Sequence, residues 1–334
     1  MRAPEFWRTR SILSALLAPF AIIYGAAGAL KWKTTTPWRA PVPVICIGNL
    51  VAGGAGKTPI AMAIADLLQE QGYAVRFLSR GYGGNSPGPV QVDLTRHTAR
   101  NVGDEPLLLA KVAPTWVSKD RIFGAEAAIE DGAEIIIMDD GFQNPAVAKT
   151  LSFLVVDGGY GFGNARVMPA GPLRESISVG LKRADAVILV GDDTTGVVEI
   201  IRKTAPETPL IRARLSTFNS AQRFVGEKIL AFAGIGRPEK FFQTAKDIGC
   251  AVIGERAFPD HYAYTPDDLA RLAEEAVAMD ATLLTTAKDF QRIPEEARPL
   301  VEVLDVFVEW REPDVVAALL SPLNTRRATA TTAP

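Results

Sequence analysis

Short runs of consecutive apolar residues recur along the first two thirds of the chain, separated by stretches with helical spacing. The runs are VPVICIGNL, AVRFLSRG, PTWVSKD, EIIIMDDG, LSFLVVDG and AVILVGD. Near-continuous apolar runs of this length are typical of parallel strands that helices cover on both faces. The pattern therefore predicts an α/β fold of the P-loop NTPase kind over residues 41–215, with a mostly parallel sheet flanked by helices.

A second set of apolar runs follows a change of rhythm at residues 205–228, which we interpret as a strand-like connector. The strand candidates are ILAFAGIG, GCAVIGERAF, ATLLTTAKD and VEVLDVFVEW. The stretch TPDDLARLAEEAVAMD has the spacing of an amphipathic helix that opens with a threonine cap. We expect a smaller α/β domain at residues 216–322 and a disordered tail at residues 323–334.

Residues 11–30 carry no charged side chain, although arginines and lysines lie on both sides. Such a segment is long enough to span a bilayer as a helix, but Pro19, Gly25 and Gly28 weaken a spanning helix. A span, a helix in the membrane interface, a cleaved signal peptide and an ordinary buried helix are the alternatives. Because a signal peptide would export the nucleotide site described next, we favour a membrane-associating interfacial helix within residues 1–40.

A glycine-rich stretch, GNLVAGGAGKTP, lies between the first apolar run and the clearest helical pattern, TPIAMAIADLLQEQG. Successive backbone N–H groups at a helix amino terminus bind phosphate, while a lysine reaches the β and γ phosphates and a hydroxyl reaches magnesium. The residues predicted to bind the nucleotide are Val51, Ala52, Gly53, Gly54, Ala55, Gly56, Lys57 and Thr58. Val51 stands where such loops usually have a glycine, and Ala52 stands where MinD-like switch ATPases carry a signature lysine.

Acidic residues follow one predicted strand and open one predicted helix. Asp139 and Asp140 come directly after the run EIIIM, a position from which a carboxylate reaches magnesium held by Thr58. Asp104 and Glu105 begin a helical pattern, where carboxylates often do no more than complement the helix dipole. Because a phosphate loop lies upstream, we favour a magnesium-binding role for Asp139 and Asp140.

Three further segments, SRGYGG, SKDR and GPLRE, each follow a strand pattern or end a loop. Open α/β sheets bind ligands at the carboxyl edge of their strands. Arg80, Arg121 and Arg174 are therefore candidates for bidentate contact with phosphate oxygens. For each arginine, a solvated surface position is the alternative.

The combination of motifs resembles that of the tetraacyldisaccharide 4'-kinase family. The matching segments are GNLVAGGAGKTP, SRGYGG, GDEP, SKDR, MDDGFQ, PAGPLRE, FPDHY and TTAKD. The resemblance implies transfer of the γ-phosphate of ATP, with Mg²⁺, to the 4'-hydroxyl of an acylated glucosamine disaccharide 1-phosphate, giving lipid IVA in lipid A biosynthesis. It also implies a peripheral or monotopic enzyme on the cytoplasmic face of the cell inner membrane. We expect a monomer.

The resemblance further implies roles for individual residues. Asp104 and His261 would form a catalytic dyad, with His261 supplied across a cleft by the domain at residues 216–322. Lys57 and Asp140 are the other implied catalytic residues, and Arg121 joins the nucleotide site. The implied metal ligands are Thr58, Asp139, Asp140 and Glu175. The implied substrate contacts are Asn49, Arg80, Gly81, Tyr82, Glu105, Gln143 and Arg174.

A few residues stand outside these assignments. Asn144 follows DDGFQ where the family usually has a histidine, whereas the missing glycine at Val51 is shared with relatives. His97 is interpreted as structural, and the cysteines Cys46 and Cys250 as small buried apolar side chains.

Charge and composition indicate the class of protein and the kinds of partner that it binds. With 48% apolar and 22% charged residues the chain is a packed globular protein. A formal net charge of -2 gives no general basic field, so we expect no nucleic-acid partner. The alternative function is a membrane-recruited MinD-like switch ATPase, which predicts a base-recognition motif that TTAKD only loosely imitates.

Overall fold

The computed structural model describes residues 4–323, so that all but the first residue of the predicted tail lie outside the described residues. Two compact units divide the chain. The phosphate-loop unit comprises Glu5–Ile60, Ala133–Leu215 and residues 308–323. The histidine unit comprises Ala61–Gly132 and Ser216–Phe307. The domain boundaries proposed from the sequence stay a prediction.

Strands and helices alternate along the described chain. The strands are β1 (Val44–Gly48), β2 (Val75–Ser79), β3 (Val90–Gln91), β4 (Thr115–Val117), β5 (Ile135–Asp139), β6 (Leu151–Asp157), β7 (Ala186–Val190), β8 (Leu210–Thr217), β9 (Lys228–Ala233), β10 (Ala251–Ala257), β11 (Thr282–Thr286), β12 (Glu302–Leu304) and β13 (Val306–Trp310).

The α-helices are α1 (Ile12–Leu16), α2 (Ala18–Thr34), α3 (Lys57–Glu70), α4 (Ala99–Val102), α5 (Asp104–Leu109), α6 (Arg121–Glu130), α7 (Ile177–Leu181), α8 (Val197–Thr204), α9 (Pro238–Asp247), α10 (Pro266–Ala278), α11 (Ala287–Phe290) and α12 (Pro313–Leu320). Short 3₁₀ helices cover Glu5–Trp7, Asn219–Phe224 and Glu295–Leu300. This alternation of strands and helices confirms the predicted α/β class.

The sheet of the phosphate-loop unit is parallel and deeply buried. Strand β1 pairs in parallel with β5 on one side and with β6 on the other, and the parallel pairing continues through β7 to β8. Every residue of β1, β5, β6 and β7 is buried. Burial on both faces explains the near-continuous apolar runs. The predicted connector at residues 205–228 contributes a full strand, β8, to this sheet.

The histidine unit contains two groups of strands. In the first, β2 pairs in parallel with β4, and β3 pairs antiparallel with β4. In the second, β10, β9, β11 and β12 lie side by side in that order, and all their pairs are parallel. The single strand predicted from VEVLDVFVEW is two strands, β12 and β13, separated at Asp305.

The apolar segment near the amino terminus forms two helices instead of one. Helix α1 ends before Leu17, and α2 begins with Pro19 in its first turn. Proline has no N–H to donate to the preceding turn, which explains the break. Most large side chains of the segment are exposed, Ile22 by 73%. Within residues 4–323, no helix combines the length and the apolar character needed to cross a membrane.

Polar contacts tie helix α1 to a loop of the phosphate-loop unit. The buried Ser14 hydroxyl donates to the Ala170 carbonyl at 2.8 Å and accepts from Asn164 Nδ2 at 3.1 Å. Arg166 Nη1 donates to the Ser14 carbonyl at 2.8 Å, and Trp7 Nε1 donates to the Pro169 carbonyl at 3.1 Å. Trp7 and Ser14 are therefore hydrogen-bonded parts of this unit.

Candidate active site

The glycine-rich stretch forms a loop between β1 and the amino terminus of α3. Gly53 and Gly56 have φ values of +127° and +85°, which side-chain-bearing residues rarely adopt. These turns bring the chain to Lys57, the first residue of the helix. Lys57 and Thr58 are both buried. The predicted order of strand, loop and helix is confirmed.

The first half of the loop, which lacks the usual glycine, pairs with the segment PAGPLRE. Val51 forms an isolated antiparallel bridge with Leu173, and the Ala52 N–H donates to the Pro172 carbonyl at 2.8 Å. The Val51 side chain is buried in the same apolar cluster as Leu173. A glycine would leave this contact unmade, so valine at this position stabilises the loop.

A strand-end carboxylate lies beside the loop hydroxyl. Asp139 ends β5 and is in register with Ile47 of the adjacent β1. Thr58 Oγ1 donates to Asp139 Oδ2 at 3.1 Å, between two buried residues. A hydroxyl and a carboxylate in contact at a phosphate loop are the oxygen ligands that magnesium takes alongside phosphate and water.

Asp140, the next residue, carries a carboxylate shared by two cations. Its Oδ1 atom accepts from Arg174 Nη1 at 2.7 Å and lies 3.6 Å from Lys57 Nζ. Asp140 has a φ of +54°, in the left-handed region that aspartate tolerates better than most residues. Its backbone N–H donates to the Ile47 carbonyl at 2.9 Å, which fixes the turn next to the loop.

A second set of polar side chains surrounds this group. Gln143 Nε2 donates to the Asn49 carbonyl and to Glu175 Oε1, each at 2.9 Å. Glu175 also accepts from Arg183 Nη2 at 2.6 Å. Asn49 is fully buried, and its Nδ2 donates to the Gly53 carbonyl at 3.3 Å. Asn49 thus holds the loop itself.

Two observations concern the implied metal ligands and the departure from the family pattern. Within residues 4–323, no group of three or more His, Cys, Asp or Glu side chains is arranged to hold a metal ion. The assignment of Asp139, Asp140 and Glu175 as metal ligands stays a prediction. Asn144 Oδ1 accepts from the Ala146 N–H at 2.8 Å. Asparagine therefore supports the local turn at this position.

In the histidine unit, Asp104 and His261 meet although 157 positions separate them. His261 Nδ1 lies 2.9 Å from Asp104 Oδ2. Asp104 begins α5 and is only 2% exposed. His261 has a φ of +56°, and its backbone N–H donates to the Gly234 carbonyl at 3.0 Å. The pairing implied by the family resemblance is present in the structure.

Cations around Asp104 keep its carboxyl group ionised. Burial alone would raise the pKa of Asp104, but the charges of Lys288, His261 and Arg292 and the His261 hydrogen bond outweigh burial and lower the pKa to about 2. Arg292 Nε lies 3.3 Å from Asp104 Oδ2. Asp104 is therefore a hydrogen-bond acceptor of low basicity at neutral pH.

The neighbour of Asp104 is also ion-paired. Glu105 Oε1 accepts from Lys288 Nζ at 2.8 Å. Nearby carboxylates, Glu105 first, raise the pKa of Lys288 despite its burial. Lys288 and Arg292 were not predicted as site residues, although TTAKD contains Lys288. Arg183 was also missed, since no motif in the sequence contains it.

The remaining predicted residues lie in the loop after β2 and at the start of α6, both in the histidine unit. The Tyr82 ring contacts the His261 ring, with centroids 5.0 Å apart, and Tyr82 is 64% exposed. Arg80 is exposed, and the backbone at Gly81 packs so closely on Val117 that a Cβ would lie 2.5 Å from it. The buried Arg121 begins α6 and donates to the Ser118 carbonyl. These contacts assign Gly81 and Arg121 at least a structural role.

The three residues interpreted as structural have local or buried surroundings. His97 Nδ1 accepts from the Asp93 N–H at 3.0 Å within a turn. Cys46 and Cys250 are buried, and burial raises the pKa of the Cys46 thiol to about 12. Both thiols are thus inert apolar side chains, as predicted.

Known proteins similar to this chain match it over nearly its full length. A model of the Tetraacyldisaccharide-1-P 4'-kinase family matches residues 13–324. The tetraacyldisaccharide 4'-kinase of Rhodospirillum centenum is 50% identical over 329 residues, covering 97% of each chain. The enzyme of that name from Paramagnetospirillum magneticum is 50% identical over 326 residues, covering 98% of this chain and 100% of the relative.

A solved structure is similar to this chain over nearly the whole length of both proteins. A crystal structure of LpxK from Aquifex aeolicus in complex with ATP superposes with a TM-score of 0.72 at 26% identity and covers 93% of this chain and 99% of that chain. The shared fold confirms the predicted mostly parallel sheet flanked by helices. Because the family model and both relatives extend over nearly the whole sequence, this chain belongs to the tetraacyldisaccharide 4'-kinase family, and the resemblance seen in its motifs is confirmed.

Proposed function

We propose that this chain transfers the γ-phosphoryl group of ATP to the 4'-hydroxyl of a tetraacyldisaccharide 1-phosphate, the reaction for which its family is named. The product is lipid IVA, in lipid A biosynthesis. The contact between Thr58 and Asp139 carries the proposal, because it joins a phosphate loop to a strand-end carboxylate as phosphoryl transfer requires. ATP in the related Aquifex aeolicus structure supports the choice of nucleotide.

The phosphate loop is proposed to bind the β and γ phosphates. Backbone N–H groups of residues 53–58 at the amino terminus of α3 are proposed to bind phosphate oxygens together with Lys57, while Val51 and Ala52 are proposed to hold the loop in place through the segment PAGPLRE. Arg174 shares Asp140 with Lys57 and is proposed to contact the transferred phosphate. Arg121 is proposed to support the nucleotide from the start of α6.

Magnesium is proposed to bind at Thr58 and Asp139. The fit rests on the chemistry of the donors, because magnesium prefers oxygen ligands and is usually held by one or two carboxylates, water and substrate phosphate. When bound, magnesium neutralises charge on the β and γ phosphates. Asp140 and Glu175 are proposed as further metal ligands, and their oxygens contact Arg174 and Arg183 respectively.

Asp104 is proposed to accept the proton of the sugar hydroxyl, with His261 orienting its carboxylate. A pKa of about 2 makes Asp104 a weak base. Weak basicity suffices where the transition state is loose, because the hydroxyl then loses its proton late. His261 Nδ1, 2.9 Å from the carboxylate, can share that proton.

Several residues are proposed to bind the lipid headgroup. Tyr82 is exposed and lies against the His261 ring, so its side chain is available to a ligand beside the proposed base. Arg80 is exposed and offers a guanidinium for a phosphate. Asn49, Gly81, Glu105 and Gln143 are proposed to shape the site through the protein contacts described above.

Helices α1 and α2 are proposed to bind the cytoplasmic face of the inner membrane as a peripheral or monotopic anchor, in a monomeric enzyme. Exposed apolar side chains on these helices, including Phe20, Ile22 and Ile23, support this proposal. We expect Ile22→Gln together with Ile23→Gln to weaken co-sedimentation with phospholipid vesicles. The control replaces the exposed Val277 of the histidine unit by Gln. Equal vesicle binding by both variants would exclude α2 as the anchor.

One assay separates the kinase from the switch ATPase. Purified protein is incubated with γ-labelled ATP, magnesium and a tetraacyldisaccharide 1-phosphate, and a second reaction omits the lipid. The kinase transfers label to lipid with a stoichiometry of one per ATP consumed. Lipid-independent release of labelled phosphate, with no labelled lipid, would refute the proposal and favour the MinD-like alternative. Family membership does not favour that alternative.

A further inference from the structure

The side chain of Arg292, which follows α11, is only 5% exposed and contacts several groups around Asp104 and His261. Its Nη2 atom donates to the Gly234 carbonyl at 3.0 Å, and its Nη1 atom donates to the Tyr262 carbonyl at 3.2 Å. Its Nε atom forms an ion pair with Asp104 at 3.3 Å. One guanidinium thus contacts Asp104 directly, and it contacts the backbone on which His261 is held through the Gly234 and Tyr262 carbonyls.

Two of these contacts fix the backbone around His261. The Gly234 carbonyl accepts both from Arg292 and from the His261 N–H, and Tyr262 is the residue that follows His261. His261 has a positive φ of 56°, and such a backbone persists where its surroundings determine it. The planar fork of an arginine, which presents donors in fixed directions, suits this task better than a lysine does.

The third contact acts on the carboxylate. Arg292 Nε approaches Oδ2 of Asp104, the same oxygen that meets His261 Nδ1. The positive charge of Arg292 is one of those that hold the pKa of Asp104 low despite its burial. Arg292 therefore favours the ionised carboxylate through its charge, while its directional contacts are those with the backbone on either side of His261.

Asp289 in turn fixes Arg292. Asp289 is fully buried, and its Oδ1 atom accepts from Arg292 Nη2, from the Gly234 N–H at 2.7 Å and from the Tyr264 hydroxyl at 2.7 Å. Its Oδ2 atom accepts from Thr286 Oγ1 at 2.6 Å. A buried guanidinium that is paired and hydrogen-bonded in this way has one well-defined position.

We propose that Arg292 is a positioning residue for phosphoryl transfer, which holds the backbone at His261 and thereby the Asp104–His261 contact without contacting the reacting atoms. The proposal rests on the proposed role of Asp104 as the base. A positioning residue changes the rate of the chemical step more than substrate binding. A residue needed only for folding changes the amount of active enzyme and leaves the pH dependence of the remainder as it was.

The test compares Arg292→Gln and Arg292→Lys with Arg298→Gln in the full chain. Arg298 lies in the same part of the sequence and likewise donates to a backbone carbonyl, that of Ile293 at 3.2 Å. Loss of a residue that orients a metal ligand typically costs about 10–100-fold, and we expect a loss of the same order for a residue that orients the Asp104–His261 pair. We expect both Arg292 variants to lose this factor in kcat, with KM for ATP and lipid within about 2-fold, and Arg298→Gln to retain wild-type kcat.

The pH dependence separates the two effects of Arg292. In Arg292→Gln a cation is lost, so the pKa of Asp104 rises and the acid limb of kcat moves to higher pH. Arg292→Lys retains the charge and loses the fork, so its kcat falls while the acid limb stays in place. An unchanged kcat in a folded Arg292→Gln protein would overturn the proposal, as would a loss carried entirely by KM.

A double-mutant cycle distinguishes this inference from the proposed function beneath it. If Arg292 acts through Asp104, then Arg292→Lys in an Asp104→Asn background should change residual turnover by less than about 2-fold. A full additional loss would overturn the inference while leaving the base assignment intact. Wild-type turnover by Asp104→Asn alone would refute the proposed base. Should Arg292→Gln fail to fold, as judged by circular dichroism, the Arg292→Lys variant and this cycle decide the matter.

Discussion

Two aspartates, Asp140 of the phosphate-loop unit and Asp104 of the histidine unit, are each surrounded by cations in very different settings. Asp140 is 32% exposed and pairs with Lys57 and Arg174. Asp104 is 2% exposed, and its partners His261 and Arg292 are packed around it. The number of positive partners is similar, whereas the access of water differs greatly.

The difference in exposure to water suits the two carboxylates to different roles. Ion pairs at partly exposed positions are weak, because water screens them, so an arriving phosphate can compete with Asp140 for its cations. Breaking a buried pair is costly, since it leaves an uncompensated charge behind, so Asp104 keeps its partners. One aspartate is placed to exchange partners when ligand binds, and the other is placed to hold one direction.

The largest expected effect on activity comes from removing Lys57, one of the two cations that pair with Asp140. Lys57→Ala should lower kcat/KM by at least about 10³-fold, since the lysine is proposed to stabilise phosphate charge in both the bound and the transition state. ATP affinity, measured by calorimetry, should fall as well. Lys203→Ala, which breaks an exposed pair with Glu199, is the control and should leave both quantities unchanged. Undiminished ATP binding by Lys57→Ala would contradict the proposed role.

The next largest effect on activity comes from removing the carboxylate of the buried Asp104. Asp104→Ala should lower kcat by about 10²-fold to 10³-fold, the usual contribution of a general base. ATP affinity should stay at the wild-type value, because this aspartate is proposed to act on the acceptor hydroxyl. Radiolabelled lipid formation gives the rate and calorimetry gives the affinity. Near-normal lipid phosphorylation would remove Asp104 from the role of base.

The buried carboxylate of Asp104 should also make the free energy of unfolding depend on pH. Because the folded-state pKa of Asp104, about 2, lies below its ordinary value of 3.8, the ionised carboxylate stabilises the fold above about pH 4. This contribution, about 2 kcal/mol, is lost as the pH falls from about 4 to about 2. Denaturant unfolding at pH 5 and pH 2.5 should therefore give a stability gap between wild type and Asp104→Asn that narrows at the lower pH. An equal gap at both values would argue against a depressed pKa.

The smallest expected effect comes from Thr265→Ala, a control that lowers the stability of the histidine unit at a position outside the two aspartate sites. Thr265 caps α10, its side chain accepts from the Asp268 N–H, and Asp268 completes a capping box. Thr265→Ala should lower stability by about 1 kcal/mol. Turnover at low temperature should stay at the wild-type value, as measured in the lipid assay. A proportional loss of turnover would mean that general destabilisation of the histidine unit explains part of the Asp104 result.

Sequence patterns were sufficient for the parts of the site that depend on neighbours in the chain. The loop and helix up to Thr58 follow from local glycine and capping rules, and Asp139 follows from the end of an apolar strand. The Asp104–His261 contact spans 157 positions and came from family resemblance, since no local rule joins two such residues. Its presence in the structure depends on packing within the histidine unit.

Arg183, Lys288 and Arg292 were missed for a physical reason. Each is an ordinary basic residue in the sequence, and its importance arises from partners brought near by the fold, such as Glu175 for Arg183 and Glu105 for Lys288. The break between α1 and α2 was not predicted either, although Pro19 was noted as a weakness of a spanning helix. Proline reports where a helix is interrupted and leaves open what the two pieces then contact.

The hydrogen bonds of Ser14 have a practical consequence for protein engineering. Deletion of residues 1–30 would remove one of two donors to the Ala170 carbonyl and two acceptors of Asn164 Nδ2, the Ser14 hydroxyl and the Phe6 carbonyl. Each hydrogen bond lost in this way contributes about 0.5–1.5 kcal/mol to stability. A shortened enzyme of this kind would lose stability together with any lipid affinity. Surface substitutions on α2 leave Ser14 in place, and so offer the better route to a well-behaved, detergent-free preparation.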